Sequence, residues 1–462
     1  MHSLSIFGTS SDAGKSTLAF AITYLLHHRG ISAAPYKAQN VSNNAQVCDE
    51  GGEIAQPQHF AAEAIALRTT PDMNPVLLKS GQKGSASLIV NGQSVGHKNV
   101  HEYYADIDSL KPVAKEAFER LRTQYGCIVA EGAGSPVELN LMDKDLSNIY
   151  IATEFDTKIV LVADIERGGV FASIWGVYNL LPEQLKANVV GVIVNKFRGD
   201  MSLFDEGVTI IEEQFKLKVL GVIPYRPFNL GFEDAQSIMN YTQNTSKAII
   251  KVGVIRLPHI SNFTDFEPLI ADKEINLQFI QNASELEHCD LIIIPGTKRT
   301  IHDLLWLKER GFDAVLRDES RYTLAICGGY EMMFESLCDP LGIEEDAGTE
   351  VKGFGRFRGE VHFVQEKTVK KADYTLFDCP VKGYEIHNGH VDALSRQQGR
   401  LYGTFVHGLL DSNLFRAKLF STINPNYQGY DFTAYKAEGI ADFAHHVDTN
   451  LDLDAIIDAL YE

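Results

Sequence analysis

Cys327 follows the apolar run Leu324-Ala325-Ile326 and is followed at once by Gly328 and Gly329. A thiol at a strand end, with glycines on its exit side and a helix starting behind it, is a nucleophile elbow. The tight turn leaves the Gly328 N–H free as an oxyanion donor, and the helix N-terminus favours the thiolate. Such a thiol attacks acyl carbon. Far upstream, Gly8-Thr9-Ser10-Ser11-Asp12-Ala13-Gly14-Lys15-Ser16-Thr17 has the composition of a phosphate-binding loop. Its backbone N–H groups cradle phosphates, Lys15 neutralises the terminal ones, and the Ser16 hydroxyl suits Mg²⁺. Gly8, Gly14, Lys15, Ser16 and Thr17 are the candidate ATP contacts. One half of the chain is equipped to spend ATP and the other to break an acyl bond. An enzyme that activates a carboxylate and delivers ammonia released from glutamine needs both.

Each centre needs further groups. The thiol needs a base on another strand end, and His407 in Thr404-Phe405-Val406-His407-Gly408 fits, with His387 and His390 as rivals. The run Leu291 to Ile294 ends in Pro295-Gly296, which places a second oxyanion N–H near Gly296. On the nucleotide side, Glu131 ends an apolar strand before Gly132-Ala133-Gly134, where open α/β sheets bind ligands. Glu131, Ser16 and Asp49 are the candidate metal ligands. Asn195 ends another strand, where its amide suits the adenine edge or, equally, a turn. Lys37, Asn40, Asn74, Lys79, Asp145 and Arg167 are candidate substrate contacts, because amides and charged groups beside a phosphate site suit a substrate that carries amides and carboxylates. Asp164, Gly168 and Gly169 belong to the same cleft without an assigned role.

The elements that must position these residues are legible as short β-branched runs separated by long amphipathic stretches such as Leu18 to Arg29. Strands that are apolar throughout are buried on both faces, which predicts a doubly wound parallel sheet in the first half. The second half reads as another α/β domain with an antiparallel elaboration. A polar stretch from Asn240 to Lys247 is the expected linker, which divides the chain into 1–245 and 249–462. The chain's 462 residues suit two or three domains. Six cysteines without C-x-x-C spacing argue against zinc and against a disulfide framework, and a net charge of -19 argues against nucleic acid or an anionic membrane as a partner. With no long apolar span and no signal-peptide pattern, cytoplasm is the expected location. Association into a homo-oligomer is left open.

Several segments together resemble the cobyric acid synthase family: Lys37-Ala38-Gln39-Asn40, Gly51-Gly52-Glu53-Ile54, Asp72-Met73-Asn74-Pro75, Leu257-Pro258-His259-Ile260-Ser261-Asn262-Phe263-Thr264-Asp265-Phe266, and Ile326-Cys327-Gly328-Gly329-Tyr330. The phosphate loop is one residue longer than usual and resembles that of dethiobiotin synthetase. The resemblance implies a dethiobiotin-synthetase-like ATP domain followed by a class I (triad-type) glutamine amidotransferase domain. It also implies amidation of four peripheral carboxylates of adenosylcobyrinic acid a,c-diamide at the expense of ATP and glutamine. Triad amidotransferases carry Glu two residues after the histidine, where this chain has Leu409. The resemblance therefore implies a Cys-His pair, with any third orienting group unassigned. A partition-type ATPase would share the phosphate loop without the cysteine elbow, and a CTP-synthase-like enzyme would carry His-Pro-Glu.

Overall fold

The computed structural model describes residues 1–80, 85–228, 230–231 and 246–462. Six strands of the first half form one parallel sheet in the order Val219–Pro224, Val189–Phe197, Lys158–Asp164, Leu4–Gly8, Cys127–Glu131 and Ala33–Tyr36. Alternate side chains face opposite layers, as the pleat requires. Ile6 and Val160 meet the layer that contains the helix Lys15–His28, whereas Phe7 and Leu161 meet the layer of Val170–Leu180. All the strand C-termini therefore lie at one edge, and the phosphate loop, Glu131, Asp164 and Asn195 gather there.

The second half has its own sheet, ordered Ile275–Ile280, Ile250–Ile255, Leu291–Ile294, Tyr322–Ile326, Leu401–Thr404 and Ser395–Gln398, parallel except at the last pair. The expected antiparallel elaboration is the ladder of Glu360–Leu376 with Cys379–His390. The first half carries a small sheet of its own, ordered Gln39–Val41, Val76–Ser80, Ser85–Val90 and Gln93–Asn99. The two halves meet where Val47, in the separate two-stranded ladder of Ala45–Val47 with Glu53–Ala55, packs against Tyr384 and Ile386 of the antiparallel ladder.

The expected linker lies outside the described residues from Asn240 to Thr245. Beyond it, the segment 249–462 does not stay with one core. The helices Phe432–Asp448 and Leu453–Tyr461 return to the first half, where Phe443, Val447, Ile456 and Leu460 join the cluster of Leu18, Ile22 and Leu220. His2 N–H donates to the Leu460 carbonyl at 2.7 Å, and Asp452 N–H to that of Leu220 at 2.6 Å. An amphipathic helix shows only that it must bury one face, not which sheet receives it.

Candidate active site

The phosphate loop is held open by its neighbours. Gly14 has φ 94°, and a Cβ there would lie 2.2 Å from Asn195 Nδ2. Asn195 Nδ2 donates to the Ala13 carbonyl at 2.9 Å, so this amide braces the loop. That engagement favours the local, structural reading of Asn195 over an adenine contact. Lys15 folds back over Gly8 and donates to the Ser10 carbonyl at 3.2 Å. Thr17 lies in the first turn of the helix. Ser16 Oγ donates to Glu131 Oε1 at 2.7 Å, and the buried Glu131 also accepts from Lys37 Nζ at 2.7 Å and Gln58 Nε2 at 3.2 Å. A hydroxyl beside a carboxylate is the hard oxygen set that Mg²⁺ takes, so this pair fits the ion. Arg167 sits on the exposed rim, 3.1 Å from Asp12.

Other expected residues are placed differently. Asp49 is not joined to the Ser16–Glu131 pair; its carboxylate accepts from Thr69 N–H at 2.9 Å and from Lys371 Nζ at 2.6 Å, across the junction of the two halves. Asp145 accepts from the N–H groups of Asn148 and Tyr150 and from Asn148 Nδ2, which makes it a brace for the helix Ile149–Phe155. Asn74 donates to the carbonyls of Lys37 and Val76 and accepts from Ala55 N–H, a structural role that satisfies the whole amide. Short polar side chains are read from sequence as ligand contacts or turn braces alike, and tertiary contacts decide. Asn40 differs: its Nδ2 is buried with no hydrogen-bond partner among the described residues.

Cys327 ends the strand Tyr322–Ile326 with φ 52° and ψ -113°, a conformation that costs a non-glycine residue strain and aims the thiol out of the sheet. Gly296 adjoins it, and a Cβ there would lie 2.9 Å from His407 Cε1 and 3.6 Å from Cys327 Cβ. His407 is buried, with its ring stacked on Tyr384 at 5.2 Å. Its Nδ1 lies 2.7 Å from Asp265 Oδ2, and Gly408 N–H donates to Asp265 Oδ1 at 2.8 Å. Burial alone pulls the imidazole pKa down, but the charge and hydrogen bond of Asp265, with Cys327 adding, push it up to about 10. The orienting carboxylate comes from the 3-10 turn Phe263–Phe266 and takes the place left empty by Leu409. His387 is not poised this way, because Nδ1 faces the Gly389 carbonyl at 2.8 Å and Nε2 faces Glu385 at 3.2 Å. His390 is exposed.

Cys327 and Gly328 open on a cavity of about 510 Å³ that both halves line. The first half contributes Lys79 and, from the strand Gln93–Asn99, Ser94 to His97; the second contributes Thr297 to Thr300, Glu331, Glu344 and Lys367. Lys79 and Lys367 both pair with Glu53, which is almost wholly buried. Burial raises the Glu53 pKa, but Lys367, Lys79 and Lys298 together hold it well below the carboxyl range. Lys79 is thus part of a bridge between the halves rather than of the phosphate edge. The arrangement has the chemistry to form an acyl-enzyme at Cys327 and to hold phosphates at Gly8–Lys15, and residues of both halves line the cavity at the thiol. Sequence reasoning missed Asp265, Glu53 and Gln58. The first two lay within segments already singled out, but nothing in their spacing assigned a partner.

Family models match both halves: a CobQ/CobB/MinD/ParA nucleotide binding domain over residues 4–230, and a CobB/CobQ-like glutamine amidotransferase domain over residues 251–415. The chain is 53% identical over 464 positions to a cobyric acid synthase of Acinetobacter baylyi, with 100% of each covered. It is 35% identical to one of Chlorobium phaeobacteroides (100% and 99% covered) and 38% identical to one of Clostridium perfringens (94% and 95% covered).

Proposed function

The chain belongs to the cobyric acid synthase family, and from that premise we propose that it uses ATP and glutamine to amidate the b, d, e and g carboxylates of adenosylcobyrinic acid a,c-diamide. The observation that carries this reading is the strained Cys327, backed by His407 and Asp265, on a cavity whose far wall belongs to the ATP half.

Cys327 Sγ attacks the side-chain carbonyl carbon of glutamine, and the Gly328 and Gly296 N–H groups receive the developing oxyanion. His407 protonates the leaving nitrogen as the C–N bond breaks, so ammonia departs and a glutamyl thioester remains. Water then attacks the thioester, glutamate leaves, and the thiol regains its proton. Asp265 holds the imidazole in the required orientation throughout.

In the other half, Lys15 and the loop N–H groups hold the ATP phosphates. Ser16 and Glu131 would hold Mg²⁺, which supplies charge neutralisation at the transferring phosphoryl group. A substrate carboxylate oxygen attacks the γ-phosphorus, ADP leaves, and ammonia displaces phosphate from the acyl phosphate to give the amide. Lys37, paired with Glu131, and Asn40, whose buried Nδ2 has no hydrogen-bond partner among the described residues, are the favoured substrate contacts. Ammonia must stay unprotonated between the centres, which calls for a sheltered path between the halves.

The test is mass spectrometry of adenosylcobyrinic acid a,c-diamide incubated with the protein, Mg-ATP and glutamine. Four successive acid-to-amide mass decrements are expected. Glutamate release without conversion of this substrate would refute the assigned acceptor.

A further inference from the structure

The cavity above Cys327 carries two polar atoms that no described residue uses. Glu344 Oε2 and Arg299 Nε are buried without a hydrogen-bond partner, and both side chains line this cavity. Each is fixed by its other end. Arg299 Nη2 donates to Glu345 Oε1 at 2.6 Å. The Glu344 carboxylate takes the backbone N–H groups of Thr300 and Ile301 at the start of the helix Thr300–Glu309, and its own N–H donates to Asp339 Oδ2 at 2.7 Å. Buried polar atoms are nearly always satisfied, so a carboxyl oxygen and a guanidinium nitrogen left unsatisfied in the wall of a reaction cavity point to a ligand that completes both.

Most of the cavity's other charged groups are already engaged. Lys79 and Lys367 pair with Glu53. Burial, with these two ammonium groups close by, holds Lys298 well below the ordinary lysine range. Glu331 accepts from Thr300 Oγ1 at 2.7 Å, and His387 uses both ring nitrogens. Burial, then the charge of Glu331, pushes Glu344 well above the usual carboxyl range, and a cation bound at Oε2 offsets both effects.

We propose that Glu344 and Arg299 read the amino-acid head of glutamine, Glu344 Oε2 accepting from the α-ammonium and Arg299 Nε donating to the α-carboxylate. The pair makes the site selective for a free amino acid over other primary amides, and the assignment rests on the glutaminase reading above. A zwitterion is the ligand chemistry that satisfies one anion and one cation held in the same wall.

Steady-state glutaminase assays of the full-length protein test this with glutamine, glutaramate (no α-amino group) and 4-aminobutanamide (no α-carboxylate). Glu344→Gln is expected to lose roughly 10- to 100-fold in kcat/KM on glutamine, mainly in KM, and to leave glutaramate hydrolysis near the wild-type value. Arg299→Met is expected to show the same selectivity against 4-aminobutanamide. Losses equal across the substrates would make both residues mere loop braces and overturn the assignment. Should Glu344→Gln fail to fold, the Arg299→Met comparison decides alone. A wild-type protein that releases no glutamate overturns the glutaminase reading as well, whereas glutamate release with substrate-independent losses overturns this assignment only.

Discussion

Asp265→Asn removes one charge from a pair in which His407 is 1% exposed and Asp265 4% exposed, with 2.7 Å between Nδ1 and Oδ2. An unperturbed imidazole titrates near ~6.5, and here the group is pushed up to about 10 although burial opposes it. At roughly 1.4 kcal/mol per pH unit, that difference is about 5 kcal/mol in favour of the imidazolium. Breaking one side of a buried pair costs a similar amount, about 3–5 kcal/mol. The imidazolium is the form that protonates the leaving nitrogen, so glutaminase kcat/KM at neutral pH is expected to fall on the order of 10³-fold. The sign of the pH effect follows from a folded-state pKa above the unfolded one. The stabilisation from this pair is complete below ~6.5 and is lost as pH rises through the folded value of about 10. The wild type should therefore keep its glutaminase activity up to an alkaline limb near that value, while this share of its stability declines progressively above ~6.5 and is almost gone at about 10. In Asp265→Asn the alkaline limb moves to or below the ordinary imidazole range. Initial rates of glutamate release and thermal melts across the pH range measure both, with ammonia-supported amidation as the control for the ATP half. An alkaline limb that stays in place, or a loss under about tenfold, would refute the role given to Asp265.

Cys327→Ser should abolish glutamine-supported amidation and retain ammonia-supported amidation; loss of both in a folded variant would contradict the division of labour between the halves. Gly296→Ala places a methyl group 2.9 Å from His407 Cε1 and 3.6 Å from Cys327 Cβ, so it should obstruct the thioester site while near- and far-ultraviolet circular dichroism stay unchanged. Glu131→Gln leaves Lys37 with a neutral partner in a buried pair that spans 2.7 Å. ATP consumption should be lost at any Mg²⁺ concentration while glutamate release persists, and the melting temperature should drop by several degrees, as a cost of about 3–5 kcal/mol implies.

Local chemistry was legible because it is written in contiguous residues. The phosphate loop between Leu4–Gly8 and Lys15–His28, the acid closing Cys127–Glu131 and the glycines after Cys327 are each set by a strand end and the turn that follows it. The alternation of buried strands with amphipathic helices likewise dictated a parallel sheet in the first half and a second α/β domain, since strands apolar on both faces must be covered on both. Partnerships between distant segments were not legible. Asp265 meets His407 across 142 positions, Lys367 meets Glu53 across 314, and the last helices close a core begun by Leu4 and Ile6. Asn74, Asp145 and Asn195 have the composition of ligand contacts, yet their amides and carboxylate are taken by backbone groups of nearby loops. A residue's type and neighbours determine what it can donate, accept or attack. Which buried group it satisfies depends on loop paths set by the packing of whole elements, and a carboxylate carries no mark of the imidazole, ammonium or backbone N–H that will reach it.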